Sequence, residues 1–311
     1  MKDKDKINNY KDIWNKRVHS LKSGAIAVDG STDEETLLSN GKWTADQMMS
    51  ALNISPNDIV LEMGCGVARI GKLLAPKCKK WIGVDISENM LDVAKDRLAD
   101  FNNVEFHTLM RNDLSCIEDN SIDKIYTVAV FCHLDKEDLF NYMREFYRVL
   151  KPGGIIYVET WNLASDIGWK RWNYEAKNWF ISDHSKRKDV SRNQFCSPDE
   201  FNIYATRAEF EVFASYDKSV WNQIIAGKQL NNEKKQELQN YLLQNEDEIV
   251  YSQQFSQLFE YAMDVTYNAI HPKQMMKYID TLGDIPVAVL YRRFLIGLWS
   301  NNTDLWGAVE Q

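Results

Sequence analysis

The chain has 311 residues, 44% of them hydrophobic, which exceeds one small domain and suffices for a sizeable interior. Its 37 Lys and Arg against 45 Asp and Glu leave a net charge of −8, which disfavours long contact with a phosphate backbone, because such binding needs many cations on one face. The opening MKDKDKINNY is charged and without an apolar leader region, the apolar stretch Val287 to Trp299 is broken by Arg292 and Arg293, and the five cysteines form no C-x-x-C pair. The expectation is a cytoplasmic chain with free thiols, no zinc site, no membrane span and no nucleic-acid partner.

In chain order, Ile7, Tyr10, Trp14, Val18 and Leu21 recur at helical spacing and predict an amphipathic helix. The stretch Ser23 to Asn40, rich in Ser, Gly, Asp and Thr, reads as a loop. Five apolar runs follow: Ile59 to Met63, Trp81 to Asp85, Val104 to Leu109, Lys124 to Phe131 and Ile155 to Glu159. Helix signals separate them, at Ile70, Leu73 and Leu74, at Leu91, Ala94 and Leu98 behind a Ser87 cap, and at Leu139 to Leu150 behind Asp135 and Asp138. Strands alternating with crossover helices specify a parallel sheet covered on both faces. Ser197-Pro-Asp-Glu-Phe201 opens a further helix, and Phe210 to Tyr216 and Ser219 to Ile225 read as two late edge strands. The prediction is a doubly wound, mostly parallel α/β sheet of roughly seven strands. Beyond Gly227, Phe255, Leu258, Phe259, Ala262 and Val265 keep one helical face, as do Val287, Leu290, Tyr291, Phe294, Leu295, Leu298 and Trp299. The expected division is an N-terminal segment over 1–44, a core over 45–228 with an aromatic-rich insertion at about 161–196, and a helical region over 229–311.

The first strand ends Glu62-Met63-Gly64-Cys65-Gly66-Val67-Ala68-Arg69. Glycines at a strand-to-helix turn let the backbone approach a nucleotide-type cofactor at the carboxyl ends of the strands. A dinucleotide fingerprint has a third small residue three positions after Gly66, but Arg69 stands there. Glu62 suits a cationic ammonium or sulfonium and would repel a diphosphate. Nineteen residues after Gly66, Asp85 ends the second strand, where a carboxylate can accept both hydroxyls of a ribose. The set favours S-adenosylmethionine (SAM) over a nicotinamide dinucleotide.

Residues 58 to 160 resemble the class I SAM-dependent methyltransferases, through E-x-G-x-G at Glu62 to Gly66, Gly83-Val-Asp85-Ile-Ser87, and Leu150-Lys-Pro-Gly-Gly154. A weaker likeness continues to about residue 228. The resemblance implies a Rossmann-like methyltransferase fold, SAM as cofactor and S-adenosylhomocysteine as product. It implies that Glu62, Gly64 and Gly66 hold the methionine end, that Asp85 holds the ribose, and that Asn112 and Asp113 flank the adenine. Cys65, Ile86 and Val130 complete the expected cofactor contacts.

Methyl transfer is an in-line displacement, so the protein chiefly aligns reactants and excludes water, with a base needed for a hydroxyl or ammonium acceptor. His133, just beyond the fourth strand, is the candidate base, against a cap or packing role for the same ring. Segments before the first strand often form a lid in the resembled family, which makes Tyr10, Trp14 and Trp43 candidates for contact with substrate or sulfonium. Trp161, Trp169, Trp172 and Trp179 crowd the connection after the fifth strand and read as an acceptor-pocket wall. Tyr10, Trp14, Trp161, Trp169 and Trp172 are thus the candidate substrate residues. Lys186-Arg187-Lys188 with Arg192 reads as a solvated face with some attraction for an acidic substrate. The expected activity is methylation of oxygen or nitrogen on a small molecule, with the C-terminal helices offering a surface for a homo-oligomer. The competing readings are a peptide or protein acceptor, a non-catalytic methyltransferase-like binding subunit, and a nicotinamide oxidoreductase, which Arg69 and Glu62 disfavour.

Overall fold

Three helices precede the sheet: α1 (Asp3–Arg17), α2 (Leu21–Asp29) and α3 (Glu34–Leu52). The computed structural model describes residues 3–31, 33–180 and 193–309. The basic run from Lys186 to Arg192 and the side chain of Trp179 lie outside the described residues. Most of the stretch expected to be a loop is instead helical, within α2 and α3. Several of its small and polar residues serve as caps: Ser23 forms a capping box with Ser20 at the start of α2, and Gly30 closes that helix with φ +80°. Asp33 caps α3 through the Thr36 amide. Gly24 lies inside α2 because a Cβ there would come within 2.6 Å of Val67 on the turn after the first strand.

Then come β1 (Ile59–Met63), α4 (Gly71–Leu74), β2 (Lys80–Asp85), α5 (Glu88–Arg97), β3 (Val104–Thr108), β4 (Ile122–Thr127) and α6 (Lys136–Val149). They are followed by β5 (Leu150–Asn162), α7 (Asp166–Phe180), β6 (Phe195–Cys196), α8 (Pro198–Arg207), β7 (Glu211–Tyr216) and β8 (Trp221–Gly227). The path through the sheet is β3-β2-β1-β4-β5-β8-β7, parallel from β3 to β5 and antiparallel at β8 and β7. The two-residue β6 pairs with the far end of β5, so the sheet has eight strands where seven were expected. β4 is shorter than the apolar run suggested. The chain leaves it after Thr127, passes through Ala129 at φ +56° and makes a short turn of 3-10 helix over Phe131–His133.

Alternation along the strands divides the interior. Leu61, Met63, Ile125 and Ile156 face α6 and α8, whereas Val60, Trp81, Tyr126 and Tyr157 face α3, α4 and α5. The remaining helices are α9 (Asn232–Gln244), α10 (Glu246–Ile249), α11 (Gln253–Thr266), α12 (Pro272–Leu282), α13 (Pro286–Ser300) and α14 (Thr303–Trp306). Of these, α11 to α14 share a third core with Trp161 and Trp221, whereas Leu238 and Leu242 of α9 and Ile249 of α10 join the core on the α3 side. The C-terminal region also touches α3, where the Gln47 side-chain amide donates to the Ile249 carbonyl at 2.7 Å across 202 residues of sequence. Among the described residues, no helix is long and apolar enough to cross a membrane, and no metal-ligand group of three or more His, Cys, Asp or Glu side chains occurs.

Candidate cofactor and active site

The carboxyl ends of β1 and β2 open onto a cavity roofed by Tyr10 and Trp14 of α1 and by Ala27 and Val28 of α2. Its floor is the β1 turn, with Glu62, Gly64, Cys65 and Gly66. Gly64 (φ +74°) and Gly66 (φ +52°) take the left-handed conformation that glycine tolerates, and a Cβ on Gly64 would lie 2.3 Å from Val130. The Gly64 and Cys65 amides donate to the Val84 carbonyl at 2.8 and 3.1 Å, which ties this turn to β2.

Asp85, at the end of β2, accepts from the Gly66 amide and the Ser87 amide, each at 2.8 Å. Burial raises its pKa and these two amides oppose the shift. Glu62 accepts from the Tyr126 hydroxyl at 2.5 Å, and Tyr126 accepts from the Trp81 indole at 3.1 Å. Burial pushes the Glu62 carboxyl up to about 8, against the Tyr126 bond and the positive charge of Arg69, while Asp85 adds to the rise. Arg69 donates to the Asn40 carbonyl at 3.1 Å and to Thr44 Oγ1 at 2.9 Å, so the residue that breaks the dinucleotide pattern anchors α3 to the site.

Ile86, Asn112, Val130 and His133 also line the cavity. Asn112 donates to Asp138, and its carbonyl accepts from Asn141 at 2.6 Å. Asp113 does not line the cavity; its carboxylate accepts from the Ser115 amide at 3.1 Å in a local turn. His133 meets Trp14 edge-on, with ring centroids 5.1 Å apart. Burial, followed by the charges of Arg17 and Arg171, lowers its pKa to about 4. It is therefore neutral near pH 7, free to accept a proton yet weakly basic.

The predicted tryptophan wall does not converge on this cavity. Trp161 is buried and stacks on Trp221 at 3.7 Å, with the Arg171 guanidinium 4.3 Å from its ring. Trp169 is 54% exposed and stacks on Trp172 at 4.9 Å, and neither lines the cavity. Trp43 stacks on Phe255 at 5.2 Å and anchors α3 to the C-terminal helices. Conversely, Tyr142, Asp138, Ala27 and Val28 line the cavity although the sequence did not single them out for it. The signal for Tyr126 was its register opposite Glu62, visible only once β1 and β4 are paired. Ala27 and Val28 were hidden by reading their helix as a loop.

A parallel sheet with a glycine turn at β1, an acidic end to β2 and an antiparallel β8-β7 edge defines a Rossmann-like methyltransferase domain. Residues 60–154 match a family model described as a methyltransferase domain. The chain is 32% identical over 124 residues to the methyltransferase GfsG of Streptomyces halstedii, covering 39% of this chain and 44% of that protein. It is 30% identical over 129 residues to a malonyl-[acyl-carrier protein] O-methyltransferase of a Marinomonas species, covering 40% of this chain and 46% of the relative. A phosphoethanolamine N-methyltransferase of Arabidopsis thaliana is 29% identical over 142 residues, covering 45% of this chain and 28% of its own length. The chain spans less than half the length of each of these curated relatives. Over residues 60–154 the chain thus carries a methyltransferase domain, similar to those of proteins named as methyltransferases.

Proposed function

We propose that the chain is a SAM-dependent methyltransferase that methylates an oxygen or nitrogen of a small-molecule acceptor. The observation that carries this reading is the pairing of Glu62 and Asp85 in one cavity over a turn where Gly64 and Gly66 leave room for close backbone approach. Once ionised, as a bound cation favours, these carboxylates only accept hydrogen bonds, so the acceptor set suits an ammonium and a pair of hydroxyls and disfavours a diphosphate. In the proposed complex Glu62 holds the ammonium, Asp85 holds the ribose hydroxyls, and Ile86 and Asn112 flank the adenine. When bound, SAM supplies an electrophilic methyl group on a sulfonium.

The chain's own part is alignment and water exclusion. Tyr10, Trp14 and Val28 roof the cavity, and a roofed cavity suits a small acceptor better than an extended peptide. His133 is the proposed proton acceptor for a hydroxyl or ammonium substrate, a reading its position on the cavity wall supports. Oxygen and nitrogen acceptors are both represented in the names of the relatives.

The test is calorimetric titration of the full chain with SAM, then a metabolite panel scored for SAM consumption. Saturable binding is expected for the wild type, and none for Asp85→Ala, which loses the charge-assisted ribose contact. A wild-type chain that gives no saturable heat overturns the reading.

A further inference from the structure

We propose that Glu159 is a positioning residue for the cavity wall after β4, and that Tyr251 makes this positioning depend on the C-terminal helical region. The wall segment is Val128-Ala129-Val130, all three residues of which line the cavity. Ala129 holds φ +56°, a left-handed conformation that L residues seldom adopt, so its surroundings must impose it. Its neighbour Val130 is the side chain that fills the space beside Gly64. A small relaxation at Ala129 therefore moves the surface against which the β1 glycine turn is set.

The Ala129 amide donates to Glu159 Oε1 at 3.1 Å. Glu159 follows Tyr157 by two residues on β5, so both side chains share the face of the sheet that carries Glu62. The carboxylate is 1% exposed, and burial raises its pKa. Its other oxygen accepts from the Tyr157 hydroxyl at 2.7 Å and the Tyr251 hydroxyl at 2.8 Å. Three donors around one buried acceptor fix its orientation, and through it the Ala129 amide. Tyr251 lies between α10 and α11, outside the sheet. Its segment is held by the Ile249 carbonyl, which accepts from Gln223 of β8 at 3.0 Å and from Gln47 of α3 at 2.7 Å. The same Gln223 amide donates to the Tyr157 hydroxyl at 2.9 Å, closing the network.

A carboxylate buried in a sheet is costly and could be replaced by an apolar side chain of similar volume. Among the described residues its one hydrogen bond outside the tyrosine network is to the backbone of the cavity wall, and that bond is the basis for assigning it a positioning role. The assignment rests on the proposed SAM site, and two readouts separate its failure from the failure of that site. The first is hydrogen–deuterium exchange of the peptide spanning residues 128–131 in the full chain, which needs no ligand. The second is the SAM dissociation constant by calorimetry, in which a misfolded fraction lowers the stoichiometry and leaves the constant unchanged.

Tyr251→Phe removes one hydroxyl and keeps the ring. It should speed exchange at 128–131 while leaving β1 and β2 peptides protected, and weaken SAM binding about three-fold. Glu159→Gln, which places amide hydrogens against three donors, should do the same with about ten-fold weaker binding. If Tyr251→Phe does not fold, Glu159→Gln is read by the same two measurements. Wild-type exchange at 128–131 in a folded variant overturns the assignment, and so does fast exchange with an unchanged dissociation constant. A wild-type chain that binds no SAM overturns the cofactor reading instead, and the exchange data still decide whether Tyr251 and Glu159 hold the wall.

Discussion

The Glu62 carboxyl carries the sharpest consequence at the level of a single residue. In the folded chain it keeps its proton up to about pH 8, whereas its ordinary pKa is 4.5. Between those values the unfolded chain binds fewer protons than the folded one, so the contribution of this group to stability falls as pH rises from about 4.5 to about 8. Thermal melts of Glu62→Gln should lack that part of the slope. A cationic ligand favours the ionised carboxylate, so SAM binding near pH 7 should release a proton and tighten with pH until about 8, and calorimetry in buffers of different ionisation enthalpy reads the release directly. Wild-type affinity that is flat from pH 6 to pH 8.5 would argue against Glu62 as the ammonium partner. At Gly64, an added Cβ meets Val130 at 2.3 Å in a left-handed backbone, so Gly64→Ala should cost about 3 kcal/mol from strain and overpacking together, measured by denaturant unfolding.

Among the elements, α1 is the one whose role the cavity defines most directly. Its Asn15 side chain accepts from Ser87 at 2.7 Å, its backbone accepts from Asn89 at 3.0 Å, and Tyr10 and Trp14 then reach over the site. Trp14→Ala should harm turnover or acceptor affinity more than SAM affinity, whereas Trp169→Ala, on an exposed face of α7, should leave both near wild type; steady-state kinetics with a found acceptor would settle the contrast. The elements of the core were legible because strand and helix periods differ and because Ser87, Asp135 and Ser197 are ordinary caps. α2 was not, since Gly24 and the Ser20–Ser23 box look like loop chemistry until the close approach to Val67 is known. That Glu62, Gly64, Gly66 and Asp85 line one cavity was legible for the same local reason, since they lie at two adjacent strand ends. The acceptor side was not, because Trp161 and Trp169 find partners through α7, β8 and α11, and no spacing along the chain encodes those contacts.

For the whole molecule, the C-terminal helices are part of the fold around the sheet, since they cover Trp161, Trp221 and Trp43 with apolar side chains. A chain ending at Gly227 should expose that surface and lose Tyr251, giving aggregation or a lower melting temperature by size-exclusion chromatography and calorimetry. A soluble, monomeric and equally stable truncation would contradict this. The contact from Gln47 to Ile249 has a further consequence for how the protein is made. Gln47 leaves the ribosome before its partner, which is synthesised 202 residues later, so this side-chain amide of α3 must wait unmet while the sheet assembles. Nascent chains stalled before Ile249 emerges should therefore show α3 open to proteolysis, and release of the full chain should close it.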